Sequence, residues 1–355
     1  MEARLNSIDI LRGFAVILMV IGHIYYSFPD KYNKSSIIGP PLLFIVLIAP
    51  PFFLIISGFG FYLFIVKRIN SGFTKRSIIK DICLRAIFIF IIATLFQFFF
   101  GSLLNMQISS IIYWSIFQII AFSMILFLII PFLNQKIRIF FYIFSFSLIF
   151  FIYFFSSYSE GQFIFKFLVN GIFPFIPWVN FFLFGMGLSD FKLNSSIISQ
   201  KREMSIILFI GVLVTFLWFF LFVLSFDLFI LTFFKAIGLF LIFFSILYFY
   251  FDIKELESIL SKRIIEWGKL AFSIYYLQFG IAICLKFLFD KKIIQFESLI
   301  VLFIQFLILA SVILFFLEFF LLLWKKFEYK YGIEWLMNLF SSKSLFIKKD
   351  FHDYS

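Results

Sequence analysis

Three ionisable residues interrupt the first apolar run of this chain, in the stretch Asp9-Ile-Leu-Arg12-Gly13 and, further on, Gly22-His23. Such residues are rare inside apolar runs of membrane-crossing length and are functional candidates by default. Arg12 and His23 are eleven positions apart. On an α-helix that is ~16 Å of rise and close to three turns, so both side chains fall on nearly one face. Asp9, three positions before Arg12, can pair with it. Arginine is a fixed cation suited to phosphate or carboxylate. A neutral imidazole can take a proton or attack an electrophile. The stripe therefore suits a ligand with an anionic head and a long thin arm ending in a reactive group, the shape of an acyl-coenzyme A. The same spacing also fits an interfacial ion pair that anchors the helix, with His23 a satisfied polar residue; spacing alone leaves both open. The second histidine, His352, sits in a polar tail.

The element that positions these residues must be a membrane helix. Hydrophobic residues make up 63% of the 355 and charged residues 14%, far from a soluble composition. Apolar runs long enough to span a bilayer recur about ten times. They fall at about 8–28, 40–66, 82–100, 111–133, 137–156, 166–189, 204–226, 228–251, 267–289 and 296–324. Lipid offers no partner to free backbone groups, so each should be helical. The expected fold is an all-α polytopic integral membrane bundle of about ten transmembrane helices. Phe, 65 of 355 residues, fits lipid-facing positions and AT-rich coding bias better than an aromatic channel.

The net charge of +11 is a topology signal, not a nucleic-acid one. Lys67, Arg68, Lys75, Arg76, Lys80 and Arg85, then Lys136, Arg138, Lys201, Arg202, Lys262 and Arg263, fall in alternate connections. The opposite connections hold few cations: Lys31, Lys34, Lys166, Lys291 and Lys292. This bias places both termini in the cytoplasm. The Lys67–Arg85 connection then lies on the same side as Arg12, where Arg76 and Arg85 can add phosphate contacts. Residues 1–324 read as one membrane domain and 325–355 as a cytoplasmic interfacial tail. No cleavable signal peptide and no internal repeat is expected.

The remaining candidates are weaker. Cys83 and Cys284 lie in different runs without metal-ligand spacing and read as buried thiols. Pro174 and Pro177 should bend their helix. Gln97, Gln118, Gln278 and Gln305 read first as amides joining helices. Lys235, Lys286 and Glu318 lie near run ends, where snorkelling explains them. No zinc spacing, phosphate-binding glycine loop or serine nucleophile elbow is present; no metal is expected.

The order of several short motifs resembles a known family. Asp9-Ile-Leu-Arg12-Gly13, Leu18-Met19 and His23 resemble the opening of the heparan-α-glucosaminide N-acetyltransferase catalytic-domain family in its prokaryotic form. They are also similar to the arginine-then-histidine signature of acyltransferase family 3, part of the same broad transmembrane group. Pro51-Phe-Phe-Leu-Ile-Ile-Ser57-Gly58 resembles the second-helix segment. Trp114-Ser-Ile-Phe-Gln118 resembles a later helix, with Ile119 where a basic residue often stands. Phe173-Pro174-Phe-Ile-Pro177-Trp178 resembles the Pro-Trp helix. Trp267-Gly268 through Ser273-Ile-Tyr275-Tyr-Leu-Gln278 resembles a late helix, with Gln278 where relatives often place histidine. Tyr331-Gly332-Ile-Glu334-Trp335 resembles the terminal motif, with Ile333 replacing a proline.

The resemblance implies an acyltransferase, an acetyltransferase using cytoplasmic acetyl-CoA, with a hydroxyl or amine of an extracytoplasmic sugar or glycolipid as acceptor. It implies His23 as general base or acyl carrier. It adds Asp9, Arg12, Ser57, Gly58, Arg76 and Arg85 around the donor, and Gln118, Trp178 and Gln278 along the substrate cavity. The implied location is a prokaryotic cell membrane, with membrane lipids as surroundings and a second copy of the chain left open as a partner. A transporter or lipid-binding membrane protein without covalent chemistry is the competing class.

Overall fold

A helix built from a 20-residue apolar run needs one covered stripe and can leave the rest to lipid. The computed structural model describes residues 5–27, 46–103, 114–156, 168, 173–193, 200–224, 226, 228–290 and 299–341. Among them run twelve helices: α1 (Asn6–Ser27), α2 (Ala49–Asn70), α3 (Lys75–Leu103), α4 (Ile116–Leu126), α5 (Gln135–Ser156), α6 (Phe175–Leu193), α7 (Gln200–Val223), α8 (Leu228–Leu247), α9 (Ile259–Lys269), α10 (Ala271–Asp290), α11 (Leu299–Lys325) and α12 (Ile333–Ser341). The described residues contain no strand. The protein is an all-α polytopic membrane bundle. Seven described helices are long and apolar enough to cross a membrane, and Ile116–Phe132 and Phe175–Phe191 form shorter apolar helices. The outward faces agree: Phe209, Phe216 and Phe220 of α7 are 63%, 70% and 54% exposed, a surface that water would not tolerate at this extent.

The chain divides into two compact units, Met1–Ile8 with Pro51–Leu256, and Asp9–Pro50 with Glu257–Ser355. In the first, α7 packs along α8, α3 against α4, α5 against α6, and α4 against α6. Glycines set the closest approaches. A Cβ at Gly58 would collide with the carbonyl of Phe182, and one at Gly185 with the carbonyl of Ile55. The α2 and α6 backbones thus touch at two reciprocal points, as small residues allow in membrane bundles. Asp252, in a π-helical turn after α8, accepts from the backbone N–H groups of Asn6 (2.8 Å) and Ser7 (3.1 Å). It satisfies two donors that the first turn of α1 leaves open.

In the second unit, α1 from Asp9 onward, α9, α10, α11 and α12 come together. A Cβ at Gly13 would collide with the carbonyl of Ile264, and one at Gly268 with that of Asp9. The close approach at Gly13 is therefore made by α9; at Gly22 the neighbour is Val46.

The expected span 267–289 is two helices. Leu270, at φ −104° and ψ 23°, ends α9, its N–H shared between the carbonyls of Glu266 and Trp267, and α10 begins at Ala271. The apolar sequence runs through this break, so hydropathy does not mark it. The bend expected near Pro174 and Pro177 is present: Ile176 leaves helical values (φ −90°, ψ 111°), as the residue before proline tends to. Lys31, Lys34, Lys166, Lys291, Lys292 and His352 lie outside the described residues, as do the side chains of Cys284, Lys286 and Gln305. Cys83 is a free thiol.

Candidate functional site

The geometry around His23 follows from α1 and α10. His23 is held by its own helix: Nδ1 lies 2.9 Å from the carbonyl oxygen of Met19, one turn back. A carbonyl only accepts, so Nδ1 carries the proton in this bond and Nε2 of the neutral ring keeps its lone pair. Helix α10 presents Tyr275 and Gln278, three positions apart and hence on one face. The Tyr275 ring meets the imidazole edge-on, with centroids 6.0 Å apart at 81°. Gln278 stands against the imidazole. It is 2% exposed, and neither Oε1 nor Nε2 makes a well-formed hydrogen bond. His23 itself is partly accessible.

Toward the start of the same helix, Arg12 donates to Asp9 at 3.2 Å. The Arg12 side chain is 28% exposed and that of Asp9 6%. The guanidinium is thus anchored on Asp9, and its side chain is partly exposed. Gly268 of α9 sits against this turn, 2.9 Å from the backbone nitrogen of Gly13 when given a Cβ. Asp9, Arg12, His23 and Gln278 therefore belong to one unit, on α1 and the α10 face beside it.

The other expected site residues belong to the first unit. Ser57 is partly exposed on α2, and Gly58 is the contact point with α6. Arg76 is exposed at the start of α3. Arg85 stacks on the Phe64 ring at 4.6 Å, and Arg68 lies at the same distance from that ring. Gln118 closes a capping box with Ser115, accepting its N–H at 2.8 Å, and donates to Thr94 at 3.0 Å. Its amide is engaged in fixing the start of α4. Trp178 is buried among Phe173 and Phe181, at 5.1 and 5.5 Å.

Several polar groups, some read from sequence only as topology or run-end charges, are buried or paired. Asp190 accepts two bonds from the Arg138 guanidinium (2.7 and 2.9 Å) and one from Tyr62 (2.6 Å). Arg138 reads from sequence only as a topology charge. Asp81 pairs with Arg68. Asn180 on α6 is fully buried and makes no hydrogen bond through either amide atom. Glu318 does not snorkel: it accepts from Arg263 Nε (2.6 Å) and Trp267 Nε1 (2.7 Å). Lys235 is likewise buried, 5% exposed. A carboxylate inside an apolar run marks Glu318, and one at the edge of a run marks Asp81 and Asp190. Among the described residues no cluster of three or more His, Cys, Asp or Glu is arranged to hold a metal ion.

Comparison with known families finds that the family model described as an acyltransferase domain matches residues 5–323. No curated protein and no solved structure matches the chain.

Proposed function

The chain belongs to acyltransferase family 3, and from that premise we propose that this membrane acyltransferase moves an acetyl group from cytoplasmic acetyl-CoA to a hydroxyl or amine of an extracytoplasmic sugar or glycolipid. The observation that carries the reading is the bond from His23 Nδ1 to the Met19 carbonyl. It fixes the tautomer whose Nε2 carries the lone pair that takes a proton, the condition a general base must meet.

Each residue has a task in this scheme. Arg12, oriented by Asp9 and partly open, binds a phosphate of the donor, and the ~16 Å of helix rise to His23 matches the reach of an extended thioester arm. The exposed Arg76 and the aromatic-stacked Arg85 add cationic charge on the donor side. Both termini lie in the cytoplasm and about ten helices span the membrane of a prokaryotic cell. The motif order favours the heparan-α-glucosaminide N-acetyltransferase-like branch.

In the transfer step, His23 Nε2 removes the proton of the acceptor hydroxyl or amine. The acceptor atom bonds to the thioester carbon, and the carbonyl electrons move onto oxygen. When the carbonyl reforms, the carbon–sulfur bond breaks and the thiolate takes the proton from Nε2. The products are the acetylated acceptor and free CoA. A covalent route through the same Nε2 would instead form acetyl-His23 before the acceptor binds. Donor-only incubation separates the two: acetyl-His23 accumulates only in the covalent route.

The direct test is purified full-length protein in proteoliposomes, with radiolabelled acetyl-CoA and glucosamine as a probe amine. His23→Ala should lose transfer by ~10²–10⁴-fold, the usual contribution of a positioned base. Transfer by this variant at the wild-type rate would sink the proposal.

A further inference from the structure

Gln278 carries a feature that helix joining does not explain. It is 2% exposed and within hydrogen-bonding reach of the His23 imidazole, yet neither its Oε1 nor its Nε2 makes a well-formed hydrogen bond. Buried amides in native proteins are well paired, and one whose bonds are this poor calls for a reason. Leaving one unpaired costs stability that an apolar side chain of the same size would recover. The other polar groups on this stretch are engaged: Nδ1 of His23 donates to Met19, and Arg12 pairs with Asp9 about three helical turns away. Backbone N–H groups within α1 and α10 are consumed by their own helices. An acyl carbonyl placed at His23 Nε2 develops negative charge on oxygen as the acceptor attacks, and such a site needs a fixed donor aimed at that oxygen.

We propose that Gln278 is this donor: its side-chain N–H₂ holds the thioester carbonyl oxygen while His23 Nε2 takes the acceptor proton. The assignment rests on the acyl-transfer reading of the His23 site. Gln278 moves no proton. Its hydrogen bond strengthens as the carbonyl electrons move onto oxygen and relaxes when the carbonyl reforms and the thiolate leaves. A donor of this kind contributes to kcat more than to donor binding. Gln278 is then poorly paired at rest because its full partner arrives with the substrate.

The test uses full-length protein in proteoliposomes, with thiol release from acetyl-CoA in the presence of glucosamine as readout, alongside thermal melting. Gln278→Leu should lower kcat by ~10²–10³-fold. The KM for acetyl-CoA should stay within a few-fold, and the melting temperature should be unchanged or higher. A full kcat overturns the proposal. So does a lost kcat accompanied by a clear drop in melting temperature, which marks a structural amide. Gln278→Glu is the second variant, for the case in which the leucine protein does not fold. A carboxylate cannot donate and a carboxylic acid can, so its transfer relative to wild type should rise toward acid pH. A flat ratio near one overturns the assignment. His23→Ala in the same assay separates the two readings: an inactive alanine variant beside a fully active Gln278→Leu removes Gln278 alone, whereas a fully active alanine variant removes the base and with it the donor.

Discussion

Nδ1 of His23 lies 2.9 Å from the carbonyl oxygen of Met19, so the helix that carries the imidazole also selects its tautomer. Asparagine at position 23 can offer an amide N–H where Nδ1 sits but has no basic nitrogen. His23→Asn should therefore melt close to wild type while transfer from acetyl-CoA falls by ~10²–10⁴-fold. A large drop in melting temperature would instead make the Met19 bond chiefly structural.

Gly13 tests whether close packing of α1 on α9 is needed. A Cβ there collides with the backbone carbonyl of Ile264, which cannot move without shifting α9. Gly13→Ala should destabilise the protein by ~1–3 kcal/mol, the usual cost of overpacking. Gly280→Ala on α10 is the control, because no atom of the described residues lies within 4 Å of its added Cβ. Thermal melting in one detergent compares the two; equal melting temperatures would contradict the packing described for α1 and α9.

The membrane class was legible from composition alone, since lipid-facing helices need only length and apolarity. The pairing of Arg12 with Asp9 was legible too, because both lie within one helical turn. The neighbours of His23 were legible only through the motif resemblance, which sets Gln278 along the cavity: Gln278 and Tyr275 arrive from a helix more than 250 positions away, and nothing local encodes that register. Gly58 reads from its motif as part of a donor site, whereas the structure gives its vacant Cβ position to the backbone of α6. The break at Leu270 was hidden because Trp267 to Tyr275 stays apolar apart from Lys269 and Ser273, and hydropathy is blind to a change of helix axis. Glu318 looked like an end-of-span charge; its partners Arg263 and Trp267 lie 55 and 51 positions away.

The Asp190–Arg138 pair gives a prediction about stability. Both side chains are largely buried, at 6% and 13% exposure, and Tyr62 adds a third bond to the carboxylate. Asp190→Ala leaves a buried guanidinium without its anion and should cost ~3–5 kcal/mol. Replacing both partners with apolar residues, as in Asp190→Leu with Arg138→Met, should recover most of that loss. Denaturation of the single and double variants checks it, and a double variant as unstable as the single one would count against the pair as the cause.

Glu334 links the pH of the medium to the docking of α12 on α10. Its carboxylate accepts from the backbone N–H of Ser273 at 3.0 Å and also from the Ser273 hydroxyl, which in turn accepts from the N–H of Ile333 at 2.9 Å. Ser273 lies in the first turn of α10, so Glu334 meets open N–H groups at the start of the helix that bears Tyr275 and Gln278. Burial raises the Glu334 carboxyl above its usual range, against the downward pull of the Ser273 bonds. The docked state therefore binds more protons than the undocked one. Linkage then makes docking strongest below the ordinary glutamate range of about 4.3 and weaker as pH rises through the raised value. Limited proteolysis after α11, followed from about pH 4 to about pH 8, should show cleavage increasing with pH in the wild type. In Glu334→Gln, which has no proton to lose, the pH dependence should flatten. A wild type whose cleavage falls with rising pH, once corrected for protease activity, would reverse the sign and refute the coupling.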